Sequence, residues 1–370
     1  MLKSTLTRSL SQVRPRSSHS VVLLRGDGIG PECVDNTCRI IEAAGVQINW
    51  KEYEFGNDYY LKSGKFLDER ILSAFDETGV IFKGPITVPP GTSPKVEVNG
   101  KSFTSANQAL RKLFNLFANV RPSRTLPGVR SLFDNVDLVV IRENTEDLYT
   151  GEERWVDQNT VEGIKRISRN ASTRIAKFAF QYARDNGRSC VTAVHKANVC
   201  PLADGLFLQC ARQIAADYQD VQYTEQLADS LITKLVLDPS KSDVLLCPNL
   251  FGDLISDLGA GLTGSLGVAY SGQYGVDHAL FEPAHGSAPD IAGKGIANPT
   301  SQILSATMML KYLGEENAAK HIEAALLKTL QDPSSRTKDV GGQGNTQLFT
   351  DAIIDCLKDG LVSVNAQPEA

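Results

Sequence analysis

Residues 21–32 of the chain read VVLLRGDGIGPE. The apolar run from Val21 to Leu24 predicts a buried strand, and the pattern from Glu32 to Ala44 predicts a helix. A Rossmann dinucleotide-binding turn also joins a strand to a helix, but its glycines follow the spacing G-x-G-x-x-G, whereas the spacing here is G-x-G-x-G. Asp27 would also place a negative charge where a pyrophosphate binds. Residues 21–32 therefore predict a tight strand-to-helix turn and not a Rossmann fingerprint.

Short β-type runs alternate with helical patterns along the rest of the chain. Further strands are predicted at Val46–Trp50, Gly79–Phe82, Val136–Ile141, Val191–Val194 and Asp243–Leu246, and further helices at 105–118, 161–186, 201–217, 300–313 and 315–331. The stretch Thr87–Ser102 is rich in Pro, Gly and Ser and is predicted to be a loop. Alternation of this kind predicts an α/β protein with largely parallel strand pairing.

The length and composition are those of a globular protein. A chain of 370 residues predicts two domains at about 150 residues each. The chain has 38 Lys and Arg against 43 Asp and Glu, and this net charge of -5 argues against a nucleic-acid partner. It has no apolar run of about 18 residues, which argues against a membrane span.

The seven cysteines are odd in number and form no CxxC pair. Most of them lie inside apolar runs. The pattern predicts reduced, buried thiols of an intracellular protein. These cysteines are Cys33, Cys38, Cys190, Cys200, Cys210, Cys247 and Cys356.

Residues 1–20 have the composition of a mitochondrial or plastid transit peptide. They contain no acid, and the first acid of the chain is Asp27. The alternative is a tail that is basic by chance. We predict a protein of the mitochondrial matrix. The basic residues of the segment are Lys3, Arg8, Arg14 and Arg16.

The segment PNLFGDLISD, residues 248–257, carries two carboxylates four residues apart. On a helix Asp253 and Asp257 share one face and repel each other unless a cation lies near them. Oxygen ligands of this kind suit Mg²⁺ or Mn²⁺, and Asp229 is a candidate third ligand. The alternative is two exposed acids stabilised by the helix dipole near a helix N-terminus.

A cationic group of residues begins with SANQALR at 105–111. Ser105 is predicted to cap a helix, and Asn107 and Arg111 share one helix face. Arg121 and Arg142 follow, the latter at the end of a core strand, where it can clamp a carboxylate bidentately. The alternative for each arginine alone is a structural salt bridge.

A tyrosine and a lysine form a third candidate group. Tyr149 and Lys196 each follow a predicted strand, and a desolvated lysine can act as a base with tyrosine as the acid. The alternative is that Tyr149 is a packing residue and Lys196 a solvated one.

The stretch 282–293, reading EPAHGSAPDIAG, allows close backbone approach to a ligand, and its acid could hold ribose hydroxyls.

Motifs along nearly the whole chain after residue 20 resemble the β-decarboxylating dehydrogenases, the family of the isocitrate, isopropylmalate and homoisocitrate dehydrogenases. The resemblance implies a two-domain, non-Rossmann α/β fold with its active site in the interdomain cleft. It implies a large domain of 21–116 plus 265–370, a small domain of 117–264, and a dimer in which a second subunit completes each site. The matching motifs are GDGIGPE (26–32), KGP (83–85), SANQALRK (105–112), NVRP (119–122), RENTEDLYTG (142–151), VHKAN (194–198), PNLFGDLISD (248–257) and EPAHGSAPDIAGKGIANP (282–299).

The resemblance also implies a role for each candidate residue. The arginines resemble the substrate-carboxylate clamp, and Tyr149 and Lys196 resemble the proton-transfer pair. Lys196 and Asp229 would reach into the site of a second subunit. The substrate-binding residues are then Ser105, Asn107, Arg111, Arg121 and Arg142; the ligands of Mg²⁺ or Mn²⁺ are Asp229, Asp253 and Asp257; and the NAD-binding residues are Glu282, His285, Gly286, Ser287, Ala288, Asp290, Ile291 and Asn298.

Substrate choice depends on the helix that starts at residue 105. Isopropylmalate enzymes present apolar side chains there, whereas Ser105 and Asn107 are polar and suit a third carboxylate. Homoisocitrate enzymes share the serine but are apolar at Asn107, and they remain an alternative because RENTEDLY and SPKVEV resemble them too. Val88 departs from the threonine that is usual in isocitrate enzymes. Isocitrate is the predicted substrate.

The cofactor is predicted to be NAD, because Asp290 and Ile291 occupy positions where NADP-dependent relatives resemble Lys-Tyr. A carboxylate there accepts hydrogen bonds from ribose hydroxyls and repels a 2′-phosphate. The predicted assembly is a homodimer or larger homo-oligomer, with regulatory subunits as further partners. A different alternative is a non-catalytic regulatory subunit, although this chain keeps the tyrosine, the lysine, three arginines and three aspartates of the motifs.

Overall fold

The computed structural model describes residues 18–87 and 95–365. Val88, the predicted transit peptide up to residue 17 and the last five residues lie outside the described residues. The strands are β1 (His19–Leu24), β2 (Ile48–Glu52), β3 (Val80–Lys83), β4 (Val96–Val98), β5 (Lys101–Phe103), β6 (Ala118–Arg124), β7 (Asp137–Glu143), β8 (Glu153–Asp157), β9 (Thr160–Gly163), β10 (Cys190–His195), β11 (Gln222–Leu227), β12 (Val244–Cys247), β13 (Tyr270–Tyr274) and β14 (Ala279–Pro283).

Most helices lie between these strands along the chain, as the alternating pattern predicts, and the last three follow β14. They are α1 (Gly30–Ala43), α2 (Asn57–Ser63), α3 (Arg70–Thr78), α4 (Ala106–Leu113), α5 (Arg169–Asp185), α6 (Ala203–Ala215), α7 (Ala228–Leu237), α8 (Asn249–Leu262), α9 (Thr300–Tyr312), α10 (Glu316–Thr329) and α11 (Thr346–Asn365). A 3₁₀ turn, Leu148–Thr150, carries Tyr149. The α/β class is confirmed.

Ten of the strands form one sheet in the order β11-β10-β12-β7-β6-β13-β14-β3-β1-β2. Its outer pairs are parallel, whereas β7–β6, β6–β13 and β13–β14 are antiparallel. The sheet is therefore mixed at its centre and parallel towards both edges. The strands β4–β5 and β8–β9 form two separate hairpins.

Helices cover both faces of each half of the sheet. On the half that contains β1, β3 and β14, the side chains of one face pack against α1 and α9–α11, and those of the other face pack against α3 and α4. On the half that contains β7, β10 and β12, one face packs against α5 and α6 and the other against α7 and α8. The near-continuous apolar runs of these strands follow from burial on both faces.

Three of the predicted elements were wrong in extent. The predicted helix at 161–186 begins only at Arg169, because residues up to Gly163 complete β9 and Ser168 caps the helix by accepting a hydrogen bond from the N–H of Ala171. The predicted helix at 105–118 ends at Leu113, and Asn115 then adopts a positive φ of 47° before β6.

The predicted loop Thr87–Ser102 contains the hairpin β4–β5 in its described part. Asn99 and Gly100, at the turn between the strands, have φ of 51° and 71°. Asn-Gly is a strong signal for a two-residue hairpin turn that needs positive φ at both positions. The Pro, Gly and Ser content of the stretch led to the prediction of a loop, and the Asn-Gly signal was missed.

The cysteine prediction was only partly right. All seven are free thiols, but Cys33, Cys210 and Cys247 are buried, whereas the other four are half-buried. In the described residues no helix is long and apolar enough to cross a membrane.

Candidate active site

Asp253 lies at the centre of a cluster of charged and polar side chains. It projects from α8, directly after the buried strand β12. Its Oδ1 accepts hydrogen bonds from Nη1 of Arg121, at 3.0 Å, and from Nη1 of Arg142. Its Oδ2 accepts a hydrogen bond from the hydroxyl of Tyr149. Residues that the sequence assigned to three different roles therefore meet at one carboxylate.

The charges of this cluster shift one another's pKa. Burial acts to raise the pKa of Asp253, but Arg142 and Arg121 outweigh it and hold that pKa below its ordinary value. Burial and the hydrogen bond to Asp253 raise the pKa of the Tyr149 hydroxyl. Tyr149 therefore stays protonated while Asp253 is ionised at neutral pH. Its hydroxyl is placed to act as a proton donor.

Arg142 is almost completely buried, with 1% of its side chain exposed. Its Nε donates a hydrogen bond of 2.9 Å to Oδ1 of Asn249, and its guanidinium lies 4.8 Å from the centre of the Tyr149 ring. Burial and the charge of Arg121 lower its pKa. Its Nη2 has no hydrogen-bond partner among the described residues. Such a group is available to an anionic ligand.

Gly252 allows α8 to pack directly on Arg142. A Cβ at this position would lie 2.6 Å from Cγ and 2.7 Å from Cβ of Arg142. A side chain would therefore push α8 away and carry Asp253 with it. The sequence interpretation missed this residue, whose signal was its place immediately before Asp253.

Arg111 belongs to a second network. From α4 its Nε donates a hydrogen bond of 2.9 Å to Oε1 of Gln273, and its Nη2 lies 3.5 Å from Oε1 of Glu282. Glu282 is buried and also pairs with Nζ of Lys83. Burial acts to raise the pKa of Glu282, but Lys83 and Arg111 lower it. The side chain that the sequence assigned to the cofactor thus pairs with two cations and, with Gln273, holds Arg111.

Helix α4 is tied to the turn that carries Tyr149. Ser105 caps the helix as predicted, its hydroxyl oxygen accepting a hydrogen bond of 3.1 Å from the N–H of Gln108. Nε2 of Gln108 donates to the carbonyl oxygen of Tyr149 at 2.8 Å, and Nζ of Lys112 donates to that of Thr150 at 3.2 Å. The sequence interpretation missed Gln108 and Lys112, although their spacing of four residues places them on one helix face.

Asn107 contributes a free polar group on α4. Its Oδ1 is buried and has no hydrogen-bond partner in the part of the chain that the structure describes. Arg111 follows one helical turn later. A buried, unsatisfied polar atom is costly, and a bound ligand would remove that cost.

The three predicted metal ligands fall into two places. Asp257 lies one turn after Asp253 and is 62% exposed, whereas Asp229 pairs with Lys196 at 2.7 Å. Residues 18–87 and 95–365 contain no group of three or more His, Cys, Asp or Glu side chains that could hold one metal ion. One chain therefore presents two carboxylates for a hard divalent cation and needs further oxygen ligands from elsewhere.

Lys196 follows β10 and lies apart from Tyr149, with neither a hydrogen bond nor an ion pair between them among the described side chains. Its backbone N–H donates a hydrogen bond of 2.6 Å to Oδ2 of Asp204, which is fully buried. Nζ of Lys165 pairs with the other oxygen of Asp204 at 2.5 Å. Asp204 thus fixes the start of the Lys196 loop, a role that the separation of eight positions in sequence hid from the sequence interpretation.

The glycine-rich turn after β1 packs against the predicted cofactor loop. The carbonyl oxygen of Ser287 accepts a hydrogen bond of 2.8 Å from the N–H of Ile29. Gly28 has φ of 60°, and a Cβ there would lie 2.0 Å from the Ser287 carbonyl oxygen. Oγ of Ser287 also lies 2.7 Å from Oγ1 of Thr87. Only glycine fits at Gly28 without displacing the loop.

Asp27 has a structural part in the same turn. It is 1% exposed and accepts three backbone hydrogen bonds, from Asn57 at 2.8 Å, Asp58 at 3.0 Å and Thr87 at 2.7 Å. Its carboxylate therefore caps α2 and holds the backbone of Thr87.

The remaining predicted cofactor residues differ in how free they are. Burial lowers the pKa of His285. Its Nε2 is buried and has no hydrogen-bond partner among the described residues. Its Nδ1 lies 2.8 Å from the carbonyl oxygen of Gly286. Asn298 instead donates a hydrogen bond of 2.9 Å to Asp339.

The end of the cofactor loop combines an apolar support with an exposed acid. Ala288, at φ 38°, and Ile291 pack on Ile29, Cys33 and Ala297. Asp290 is exposed, and no hydrogen bond or ion pair to its carboxylate is found within the described residues. The loop therefore ends in a carboxylate that is free to accept hydrogen bonds.

Residues 20–356 match the sequence family described as isocitrate/isopropylmalate dehydrogenase. The chain belongs to this family. It is 44% identical over 345 residues to subunit 2 of the mitochondrial NAD isocitrate dehydrogenase of Schizosaccharomyces pombe, which covers 92% of this chain and 88% of the relative. It is 44% identical over 342 residues to the alpha subunit of the mitochondrial NAD isocitrate dehydrogenase of Rattus norvegicus, covering 92% and 91%.

This family member also has a close structural relative. The crystal structure of isocitrate dehydrogenase from Methylococcus capsulatus superposes with a TM-score of 0.87 at 41% identity, covering 92% of this chain and 99% of that one. A regulatory subunit of the mitochondrial NAD isocitrate dehydrogenase of Dictyostelium discoideum is 41% identical over 342 residues and 92% of each chain. The family resemblance predicted from the motifs is confirmed.

Proposed function

We propose that the chain oxidises isocitrate to 2-oxoglutarate and CO₂ with reduction of NAD, in the mitochondrial matrix. The observation that carries this proposal is the convergence of Arg121, Arg142 and Tyr149 on Asp253. The chain belongs to a family that includes relatives named as mitochondrial NAD isocitrate dehydrogenase subunits. The enzyme is therefore an oxidoreductase that acts on a secondary alcohol.

The substrate class follows from charge and polarity. Isocitrate carries three carboxylates, and Arg111, Arg121 and Arg142 are the cations proposed to bind them. Nη2 of Arg142 and Nε of Arg121 are buried without partners among the described residues, as expected for donors that await an anion. The free amide oxygen of Asn107 makes α4 polar, where an isopropyl group would need an apolar surface.

Two bound groups supply the remaining chemistry. When bound, NAD would accept the hydride, and Mg²⁺ or Mn²⁺ would be held by Asp253 and Asp257 with Asp229 of a second copy and would stabilise negative charge on the substrate oxygens. Lys196, also from a second copy, takes up the alcohol proton. Tyr149 stays protonated beside Asp253 and donates a proton to the enol that remains after CO₂ leaves.

Preference for NAD over NADP is assigned to Asp290. Its exposed carboxylate has no partner in the described part of the chain and can accept hydrogen bonds from ribose hydroxyls. The same charge repels a 2′-phosphate. The apolar Ile291 beside it offers no donor to a phosphate.

A second copy of the chain is the proposed partner that completes the site. Lys196 and Asp229 pair with each other and have no hydrogen bond or ion pair to Asp253 among the described residues. Leu202, six residues after Lys196, is 88% exposed, and Leu254, next to Asp253, is 55% exposed. In the proposed dimer a second copy would cover these side chains. The hairpin β8–β9 presents a further one, Trp155, at 71% exposure. Regulatory subunits are a further class of partner.

A regulatory subunit is the second candidate function, because a relative of that description is 41% identical. The presence of the complete Asp253 cluster favours the catalytic function. A regulatory subunit would bind ligands without turnover and would raise the activity of a catalytic partner.

The test is to purify the chain alone and to measure NADH formation with isocitrate and Mg²⁺ or Mn²⁺. Homoisocitrate and isopropylmalate serve as controls for substrate class, and NADP for cofactor choice. Turnover of isocitrate with NAD supports the proposal. Absence of turnover by the folded chain alone, with activity restored or raised on adding a homologous catalytic subunit, would favour the regulatory function.

A further inference from the structure

Asp147 is a buried acid that the catalytic proposal does not use. It is 1% exposed and precedes the 3₁₀ turn that carries Tyr149. Its backbone has φ 68° and ψ −151°, a conformation that residues other than glycine rarely adopt. Strain of this kind persists only where the surrounding contacts impose it.

The carboxylate of Asp147 joins two segments that are distant in sequence. Its Oδ1 accepts a hydrogen bond of 2.9 Å from the N–H of Leu148, and its Oδ2 accepts one of 2.9 Å from the N–H of Leu250. Its own N–H donates to the carbonyl oxygen of Arg166 at 2.8 Å. One side chain thus closes the turn of Tyr149 and caps the first turn of α8.

The segments held together are those that place Tyr149 and Asp253. Tyr149 comes two residues after Asp147, and Asp253 comes three residues after Leu250 on α8. Pro248, at the start of α8, provides no side-chain cap, so the external carboxylate takes over that function. Asn249 reinforces the junction, because its Nδ2 donates a hydrogen bond of 3.1 Å to the carbonyl oxygen of Glu146.

We propose that Asp147 is a positioning residue that sets the contact between the Tyr149 hydroxyl and the Asp253 carboxylate. This contact is part of the proton donor described above, so the kinetic part of the proposal rests on the proposed function. Asp147 itself touches neither reacting group. Its effect is to hold both in register.

The test compares Asp147→Asn and Asp147→Gly with Asp238→Asn. An asparagine has one acceptor oxygen and can serve only one of the two N–H groups. Glycine relieves the backbone strain but removes both acceptors. Asp238 caps another 3₁₀ turn, Pro239–Lys241, by accepting from the N–H of Ser240, and serves as the matched control.

For both Asp147 variants we expect kcat to fall about tenfold or more, as for loss of a hydrogen bond to a charged group, while KM for isocitrate changes little. A displaced Tyr149 hydroxyl would lower kcat without weakening substrate binding, whereas a general loss of structure would change both kcat and KM. Asp238→Asn should leave both unchanged. Loss of thermal stability with an unaltered kcat in both Asp147 variants would overturn the proposal.

A second measurement does not depend on the substrate. Crystal structures of the wild type and of Asp147→Asn give the distance from the Tyr149 hydroxyl to the Asp253 carboxylate directly. Loss of that hydrogen bond in Asp147→Asn supports the positioning role even if isocitrate is not turned over. An unchanged contact in the folded variant refutes it.

Discussion

Asp253 forms an ion pair with Arg142, whose guanidinium is almost completely buried. Arg121 donates a hydrogen bond to the same carboxylate oxygen. Removing the anion would leave a desolvated cation without its partner, which costs more than the pair contributes. Asp253 therefore links the stability of the cluster to its chemistry.

Asp253→Asn should abolish turnover. The amide keeps the shape of the side chain but loses the charge that holds a divalent cation. We expect a loss of at least about a hundredfold in kcat, because even residues that contact metal ligands cost 10–100-fold when changed. Steady-state assays at fixed Mn²⁺ concentration measure this, with Asp185→Asn, an exposed aspartate at the end of α5, as control. Retained kcat at the same metal concentration would show that the metal assignment is wrong.

Asp253 should also contribute to the pH dependence of stability. Despite burial, Arg142 and Arg121 hold its pKa below the ordinary value in the folded chain, so its charge stabilises the folded state above the ordinary pKa. That contribution is lost as the pH falls through the folded-state pKa. The difference in free energy of unfolding between wild type and Asp253→Asn should therefore be largest near neutral pH and shrink below about pH 4. Urea unfolding across this range tests it, and a difference that is constant with pH would contradict it.

Asn107→Ile should change substrate preference. The free Oδ1 of Asn107 is replaced by an apolar group, which removes a partner for a polar substrate. Activity on isocitrate should fall more than activity on homoisocitrate, by about tenfold in the ratio of kcat/KM. An equal loss on both substrates would remove the argument from α4 for isocitrate.

Asp290→Lys combined with Ile291→Tyr should shift cofactor preference towards NADP. The wild type is expected to prefer NAD by about a hundredfold or more in kcat/KM, because its carboxylate repels a phosphate dianion. The double variant offers a cation and a phenol at the same place. Kinetics with both cofactors measure the shift. Unchanged NAD selectivity in a folded, active double variant would refute the assignment.

Gly28→Ala should weaken NAD binding. A Cβ at Gly28 would lie 2.0 Å from the carbonyl oxygen of Ser287, so the cofactor loop must move. Gly45→Ala is the matched control, since Gly45 also has positive φ, at 83°, but nothing lies within 4 Å of its Cβ position. Both variants should lose about 1 kcal/mol of stability from backbone strain, and Gly28→Ala should lose more because of the clash with Ser287. Only Gly28→Ala should raise KM for NAD, and an equal KM in both would show that the contact does not affect the cofactor.

Local spacing predicted much of the fold and part of the site. The strand and helix alternation follows from apolar runs, and the shared face of Asp253 and Asp257 follows from helix geometry. The capping role of Ser105 was also readable from its place before a helix. Each of these depends on contacts within one turn or one strand.

Contacts across the fold could not be predicted in the same way. Asp147 meets Leu250 across 103 positions of sequence, and Arg111 meets Gln273 across 162. Nothing in the composition of either segment specifies the partner. Glu282 shows the same limit, since its position in a motif did not reveal the buried Lys83 beside it.

The strand order places the first and the last described segments of the chain in one core. Apolar residues of β1 and α1 pack with those of α9, α10 and α11, while β1 pairs with β3 and β3 with β14. During synthesis, the first segment therefore has no complete surface to pack on until nearly the whole chain has emerged. The middle of the chain, from β7 to α8, builds its cores mainly from nearby segments. The order of folding is thus set by topology: the middle can collapse early, whereas the ends must wait and are exposed to aggregation in the interval.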